Sequence, residues 1–264
     1  MTNDVVNVDV TESGVARVEL NRPGARNAWD DTLGDGMAAA FSDLAARPDV
    51  RAVVLTGAGT VFCAGADLVA GFPTTGDGRD DLRSVLRRRF HPAFLALLDL
   101  PQPVVAAVHG PAIGAGACLA LAADIAVMAE DTYLQFRFTR IGLMPDVAAT
   151  GLLAELVGPA RATELMLLAD PIEAAECQRL GLVSRVRPTA EVAGTAGDLA
   201  ERLATGPTRA YAATKAAIRA WSRRSLADQM ELEAGLQQTL VTTDDWAEGR
   251  AAFRERREPR YTGS

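Results

Sequence analysis

Cysteine is scarce. Only Cys63, Cys118 and Cys177 occur in 264 residues, without CxxC spacing or an even framework, so neither a disulfide scaffold nor a zinc site is indicated. Positive charge is also short: 27 Lys and Arg stand against 34 Asp and Glu, a net charge of −7. Such a chain carries no electrostatic footprint for nucleic acid. The one basic cluster, Arg87-Arg88-Arg89, is surrounded by acidic residues and reads as a solvated helix face. Long apolar runs are missing too, since none reaches the ~20 residues that cross a bilayer. The start, MTNDVVNVDV, lacks the basic region and apolar run of a secretion signal. The expectation is a cytoplasmic protein that engages neither nucleic acid nor membrane. The remaining composition is ordinary for a globular protein: 48% hydrophobic and 23% charged residues, with enough length to bury a substantial core.

Alternating apolar and polar residues over 5–10 and 15–21, joined by Glu12-Ser13-Gly14, predict a strand pair with one buried face. A helix over 30–46 comes next, with Asp30 as its N-cap. Apolar strands are expected at 51–56, 104–108, 124–129, 133–136 and 182–186. Residues 71–81, rich in Gly, Pro and Thr, predict a mobile loop before a helix over 81–98 that ends at Pro101 and Pro103. Amphipathic helices are expected over 190–204, 208–221, 224–241 and 244–258. Strands alternating with helices in the first two-thirds indicate an α/β core.

Two glycine-rich segments each succeed an apolar strand. One is Thr56-Gly57-Ala58-Gly59 continuing to Cys63-Ala64-Gly65-Ala66-Asp67; the other is His109-Gly110-Pro111-Ala112-Ile113-Gly114-Ala115-Gly116. Neither spells a dinucleotide or P-loop motif. Small residues at strand-to-helix turns let a ligand approach free backbone N–H groups, which stabilise developing negative charge. Glycines that only permit tight turns would look the same.

The segments NRPGARNAW (21–29), RAVVLTGAG with VFCAGADL (51–68), PVVAAVHGPAIGAGACLALAADIAV (103–127), IGLMPD (141–146), ATELML (162–167), EAAECQRLGLVSRV (173–186) and EGRAAFRERREP (248–259) resemble the enoyl-CoA hydratase/isomerase, or crotonase, family. They run in the family's order over nearly the whole chain. The resemblance implies a spiral of ββα units over 1–204 and a helical trimerisation region over 205–264, giving a homotrimer or a dimer of trimers. It implies an acyl-CoA substrate, with coenzyme A as part of that substrate and no separate cofactor or metal. The backbone N–H groups of Ala66 and Ala115 would hold the thioester oxygen. Arg26, Ala28, Ala64, Asp67 and Leu68 would cradle CoA.

The family's hydratases place two glutamates twenty residues apart, and the gapless match puts Cys118 and Phe138 there. Neither is a carboxylate, so two-glutamate hydration is not expected. Cys118 reads as a small packing residue, and Phe138, with Phe90, as apolar wall of an acyl pocket. Asp146 stands where several isomerases of the family carry a single catalytic carboxylate, and 136–146 looks like the ring-1,2-epoxyphenylacetyl-CoA isomerase and Δ3,Δ2-enoyl-CoA isomerase branch. A lone base suits a proton shuttle; Asp146 as N-cap of a helix beginning near Val147 is the structural alternative. His91 could activate water with Asp146, as in a thioester hydrolase or dehalogenase, or line the pocket. A catalytically impaired acyl-CoA binder is the non-enzymatic alternative. His109 is expected to bond a neighbouring turn. Ala148 and Ala149 replace the family's usual glycines, which either narrows the pocket or shifts the helix start.

Overall fold

Three consecutive strands are apolar without alternation because both of their faces are covered. In the computed structural model these are β3 (Ala52–Gly57), β4 (Val104–Val108) and β6 (Ile125–Ala129). Residues two apart share a face of a strand, and the core divides accordingly. Val53, Leu55, Val104, Ala106, Val108, Ala126 and Met128 enter the main core, whereas Val54, Val105, Ala107 and Val127 face a second cluster. Helix α8 (Thr189–Ala204) closes that second face with Val192, Ala196, Leu199 and Ala200. The structure describes residues 5–206 and, beyond them, 208, 211–215, 218, 228, 230, 231, 234, 235, 238, 240–257 and 259.

The predicted opening hairpin is present as β1 (Val6–Val10) and β2 (Val15–Leu20), antiparallel with Val6 opposite Leu20. From β2 onward every pairing of this sheet is parallel, in the order β1-β2-β3-β4-β6-β9. Strand β9 is Arg185–Arg187, a shift from the predicted 182–186, because Leu182 and Val183 are spent in the core rather than in the ladder. A smaller sheet joins β5 (Ala112–Ile113), β7 (Tyr133–Gln135) and β8 (Ile172–Glu173).

Helix α1 (Asp31–Ala46) begins as predicted, with the Asp30 carboxylate accepting from the Leu33 N–H at 2.9 Å. The helix expected over 81–98 is interrupted. α2 (Leu82–Val85) passes into a π-helical turn, Leu86–Phe90, before α3 (His91–Asp99). A π turn inserts one residue and rotates the helix before it relative to the helix after it. This corrects the reading of the arginine cluster at Arg89 alone, since Arg87 and Arg88 are exposed as expected. Arg89 is buried, paired with Asp31 at 2.6 Å and set over the Phe72 ring, while Arg87 and Arg83 both bind Glu231. The 71–81 segment closes into a hydrogen-bonded turn, with Thr74 bridging Asp80 and the Thr75 N–H donating to the Arg79 carbonyl at 2.7 Å.

After α4 (Ala115–Ala122) and the 3-10 turn Arg137–Ile141 come α5 (Ala149–Val157), α6 (Pro159–Leu168) and α7 (Ala174–Arg179). Near the C-terminus α9 (Asp244–Glu255) is capped by the Thr243 hydroxyl, which accepts from the Trp246 N–H at 3.1 Å. Much of the predicted 208–221 and 224–241 helices lies outside the described residues. Met230 and Ala234 do enter the main core. Among the described residues, no helix is long and apolar enough to cross a membrane.

Candidate active site

The two glycine-rich segments meet. Cys63 pairs with Ala112 in a parallel bridge, and the Ile113 N–H donates to the Cys63 carbonyl at 2.9 Å. On the other side, the Trp29 N–H donates to the Gly65 carbonyl at 2.7 Å and the Asp67 N–H to the Trp29 carbonyl at 3.0 Å. In a parallel pairing this turns the N–H of Ala66, the residue between them, away from Trp29. Ala115 is the first residue of α4, where a helix leaves its N–H without an internal acceptor. Neither N–H meets an acceptor within the chain among the described residues. The two segments are in contact: a Cβ on Gly65 would lie 2.6 Å from the Ile113 oxygen and 3.5 Å from the Ala115 nitrogen. Gly65 has a φ of +86°, a left-handed conformation that glycine adopts without cost.

Phe138 and Cys118 stand beside this pair of donors. The Phe138 ring tip comes within 3.7 Å of where a Gly114 Cβ would be. The Cys118 thiol donates to the Asp146 carbonyl at 3.8 Å. The structure therefore brings Phe138, Cys118 and the buried Asp146 to the helix that carries Ala115. All three cysteines are packing groups, as expected of Cys118: Cys63 donates to Asn27 and Cys177 to Ile172, and burial pushes both thiols up to about 12.

Asp146 is not the cap of α5. That helix starts at Ala149, two residues beyond the predicted Val147, and its cap position is Ala148, with no side-chain bond. The Asp146 main-chain carbonyl accepts the Ala149 N–H at 3.0 Å. Its neighbours Val147 and Ala148 are both left-handed, at φ 50° and 60°, and fully buried. A β-branched residue there is a true outlier, and such strain gathers at functional sites. The alanine at 148 therefore holds this corner under strain. Ala148→Gly is expected to raise stability by about 1 kcal/mol, measured by urea denaturation.

Phe90, at the end of the π turn, packs on Trp29 with ring centroids 4.8 Å apart. His91 is next in the chain, with Nε2 buried and without a partner among the described residues. Burial lowers its pKa to about 4 from 6.5; the Arg87 charge adds to this and Glu231 opposes it. Between those values the unfolded chain binds a proton that the folded chain does not, so His91 costs stability as pH falls from 6.5 towards 4. In His91→Phe the urea midpoint is expected to fall less steeply over that interval than in the native protein.

The positions expected to cradle CoA are brought together by backbone pairing. The Ala64 N–H donates to the Arg26 carbonyl at 3.1 Å, beside the Trp29–Ala66 bridge. The Arg26 side chain is exposed, and the Ala28 carbonyl accepts from Arg22. The Asp67 carboxylate is turned inward, accepting from Arg22 at 3.1 Å and from the Val69 and Ala70 N–H groups. Burial raises its pKa, but the Ala70 N–H and Arg22 outweigh it and hold the group below the usual carboxylate range. Leu68 lines a small cavity with Phe72, Ile141 and Trp246.

Two supports were not singled out from sequence. Buried Asn27 donates to the carbonyls of Ala58 and Val61 at 2.9 and 2.8 Å and accepts the Arg22 N–H. Arg22 ties together Asp67, Asp30 and Ala28. Their signal was a polar pair inside an otherwise small-residue motif. His109 meets its expectation, with Nε2 3.1 Å from the Gly59 carbonyl.

The chain as a whole is similar to known proteins. The model of the Enoyl-CoA hydratase/isomerase family matches residues 10–264. A Rhodobacter capsulatus protein described as "Probable enoyl-CoA hydratase" is 40% identical, over 100% of both chains. The 1,2-epoxyphenylacetyl-CoA isomerase of Escherichia coli is 36% identical, over 96% of each. A crystal structure of an enoyl-CoA hydratase from Mycobacterium avium subsp. paratuberculosis superposes with a TM-score of 0.87 at 34% identity, over 98% of each chain. The chain belongs to the enoyl-CoA hydratase/isomerase family and has its crotonase fold.

Proposed function

We propose that this enzyme moves a double bond, or opens and recloses a ring, in the acyl group of an acyl-CoA, using Asp146 as its single base. What carries this reading is that Asp146 is buried with its main-chain carbonyl against Cys118 on the helix of Ala115, while the family resemblance puts Cys118 and Phe138 at the positions of the hydratase glutamates. The thioester oxygen accepts from the N–H groups of Ala66 and Ala115. The Asp146 carboxylate removes a proton from the acyl chain, the electron pair delocalises onto the thioester oxygen, and the same carboxyl returns the proton at another carbon. Two donors fixed at the oxygen stabilise the enolate more than the neutral thioester. One group that both takes and gives the proton needs no positioned water, unlike hydration. The similarity to the Escherichia coli isomerase supports this reading. CoA lies along the paired segments at 26–28 and 64–68, and the protein assembles as a trimer or a dimer of trimers.

His91 gives the hydrolytic alternative no support. A neutral imidazole with a pKa about 4, under the charges of Glu231 and Arg87, is a poor base for water. The test is deuterium wash-in from D₂O into a panel of straight-chain and aromatic acyl-CoAs, read by mass spectrometry. Exchange together with double-bond migration in a 3-enoyl-CoA supports the isomerase. Tight binding with no exchange on any acyl chain identifies a non-catalytic binder instead, and solvent oxygen in a released acid identifies a hydrolase.

A further inference from the structure

The turn at 74–80 carries a buried carboxylate that the chemistry above does not use. Asp80 accepts from the Trp246 indole N–H at 3.0 Å and from the Arg250 guanidinium, both on α9. Arg250 also lies over the Trp246 ring, 5.5 Å from its centroid, and Phe72 packs on the same ring at 6.3 Å. Breaking a buried charged pair is costly, so this carboxylate holds α9 in one seat. Trp246 joins Leu82, Leu143 and Val241 in a cluster of its own, with Phe72 and Ile141 against it.

The location of this cluster gives it a role. Leu68 and Phe72 belong to the segment that leaves the donor Ala66, and Leu68, two residues on, stays within about 7 Å of it. Ile141 and Leu143 belong to the segment that leads into Asp146. An acyl chain held at Ala66 and passing Asp146 leaves the reacting carbons between these two segments. On that side lies a cavity of about 10 Å³ lined by Leu68, Phe72, Ile141, Trp246 and Phe253, with Arg250 and Arg254 beside them. A space of that size holds no more than a water, so Trp246 and its neighbours occupy the room that a longer hydrocarbon tail would need. Phe253 remains exposed, at 47%.

We infer that α9 forms the outer wall of the acyl channel, that Trp246 sets how long a tail fits, and that Asp80 is the positioning residue that keeps Trp246 in place. This rests on the acyl-CoA reading but not on the isomerase chemistry, because it concerns binding alone. The experiment is calorimetric titration of the full-length protein with butanoyl-, octanoyl- and dodecanoyl-CoA. The native protein is expected to gain up to about fourfold in affinity per added methylene, with the gain ending before dodecanoyl. Trp246→Ala is expected to tighten dodecanoyl-CoA by about tenfold or more while butanoyl-CoA stays within about twofold. Asp80→Asn shifts the same ratio in the same direction, by less. Trp246→Phe removes the N–H but keeps most of the ring, and together with Asp80→Asn decides the matter if Trp246→Ala does not fold. Equal changes for all three ligands, or an unaltered dodecanoyl-to-butanoyl ratio in folded variants, overturn the inference. A native protein that binds none of the three overturns it together with the acyl-CoA reading. Binding that shows the length dependence, without deuterium exchange, removes only the isomerase.

Discussion

Asp146→Asn is expected to lower turnover of a 3-enoyl-CoA by about 10²–10⁴, the usual contribution of a positioned acid–base group. Binding of the acyl-CoA should be nearly unchanged. The substitution is close to isosteric, and the main-chain carbonyl still accepts the Ala149 N–H and the Cys118 thiol. An amide cannot take the proton, so α-proton exchange should fall with turnover. A drop in kcat with the dissociation constant preserved is the signature of a group acting on the reacting atoms. Native rates of exchange in a folded Asp146→Asn enzyme would assign the base to another residue. A structural role for Asp146 would instead lower stability and binding together.

Gly65→Ala is expected to cost about 10²–10³ in turnover, comparable with removing one oxyanion donor. Two effects combine. The residue sits at φ +86°, and its new methyl would lie 2.6 Å from the Ile113 oxygen and 3.5 Å from the Ala115 nitrogen. To relieve the overlap, the segments bearing Ala66 and Ala115 must separate, which moves the two N–H groups off a single oxygen. Gly181→Ala is the control, since Gly181 has a similar φ of +75° with nothing within 4 Å of its Cβ position. Both variants should lose about 1–2 kcal/mol of stability from backbone strain. Only Gly65→Ala should lose catalysis. Equal kcat/KM in the two folded variants would detach the Gly65 contact from the oxyanion hole.

Much of the framework was legible in the chain. The runs at β3, β4 and β6 are apolar on both faces, the Asp30 cap precedes α1, and small residues succeed β3 and β4; each is a local pattern with a local cause. The candidate site was legible only through the family resemblance, because Ala66, Ala115 and Asp146 lie in motifs that carry it. Other features were not. The π turn at Leu86–Phe90 depends on Phe90 reaching Trp29 and Arg89 reaching Asp31, and helix propensity is nearly blind to such a one-residue shift. The 71–81 segment has a loop-like composition, yet Asp80 binds α9 from 166 residues away. The cap role considered for Asp146 failed because Val147 and Ala148 adopt left-handed conformations that no residue preference would suggest.

The sequence by itself determined the family and the α/β alternation, and its motifs carry the resemblance that implies two backbone donors and no hydratase glutamates, because these are properties of residue type and order. Tertiary structure alone decided which surfaces meet. It set the Gly65 turn against Ala115 and Cys118 against Asp146. It turned Asp67 inward to Arg22 and half-buried His91, closing its Nε2 off from solvent. It packed Trp246 on Phe72 and tied it to Asp80. Each of these depends on contacts between residues distant in the chain, whose distances and burial are fixed only when the sheet and helices pack.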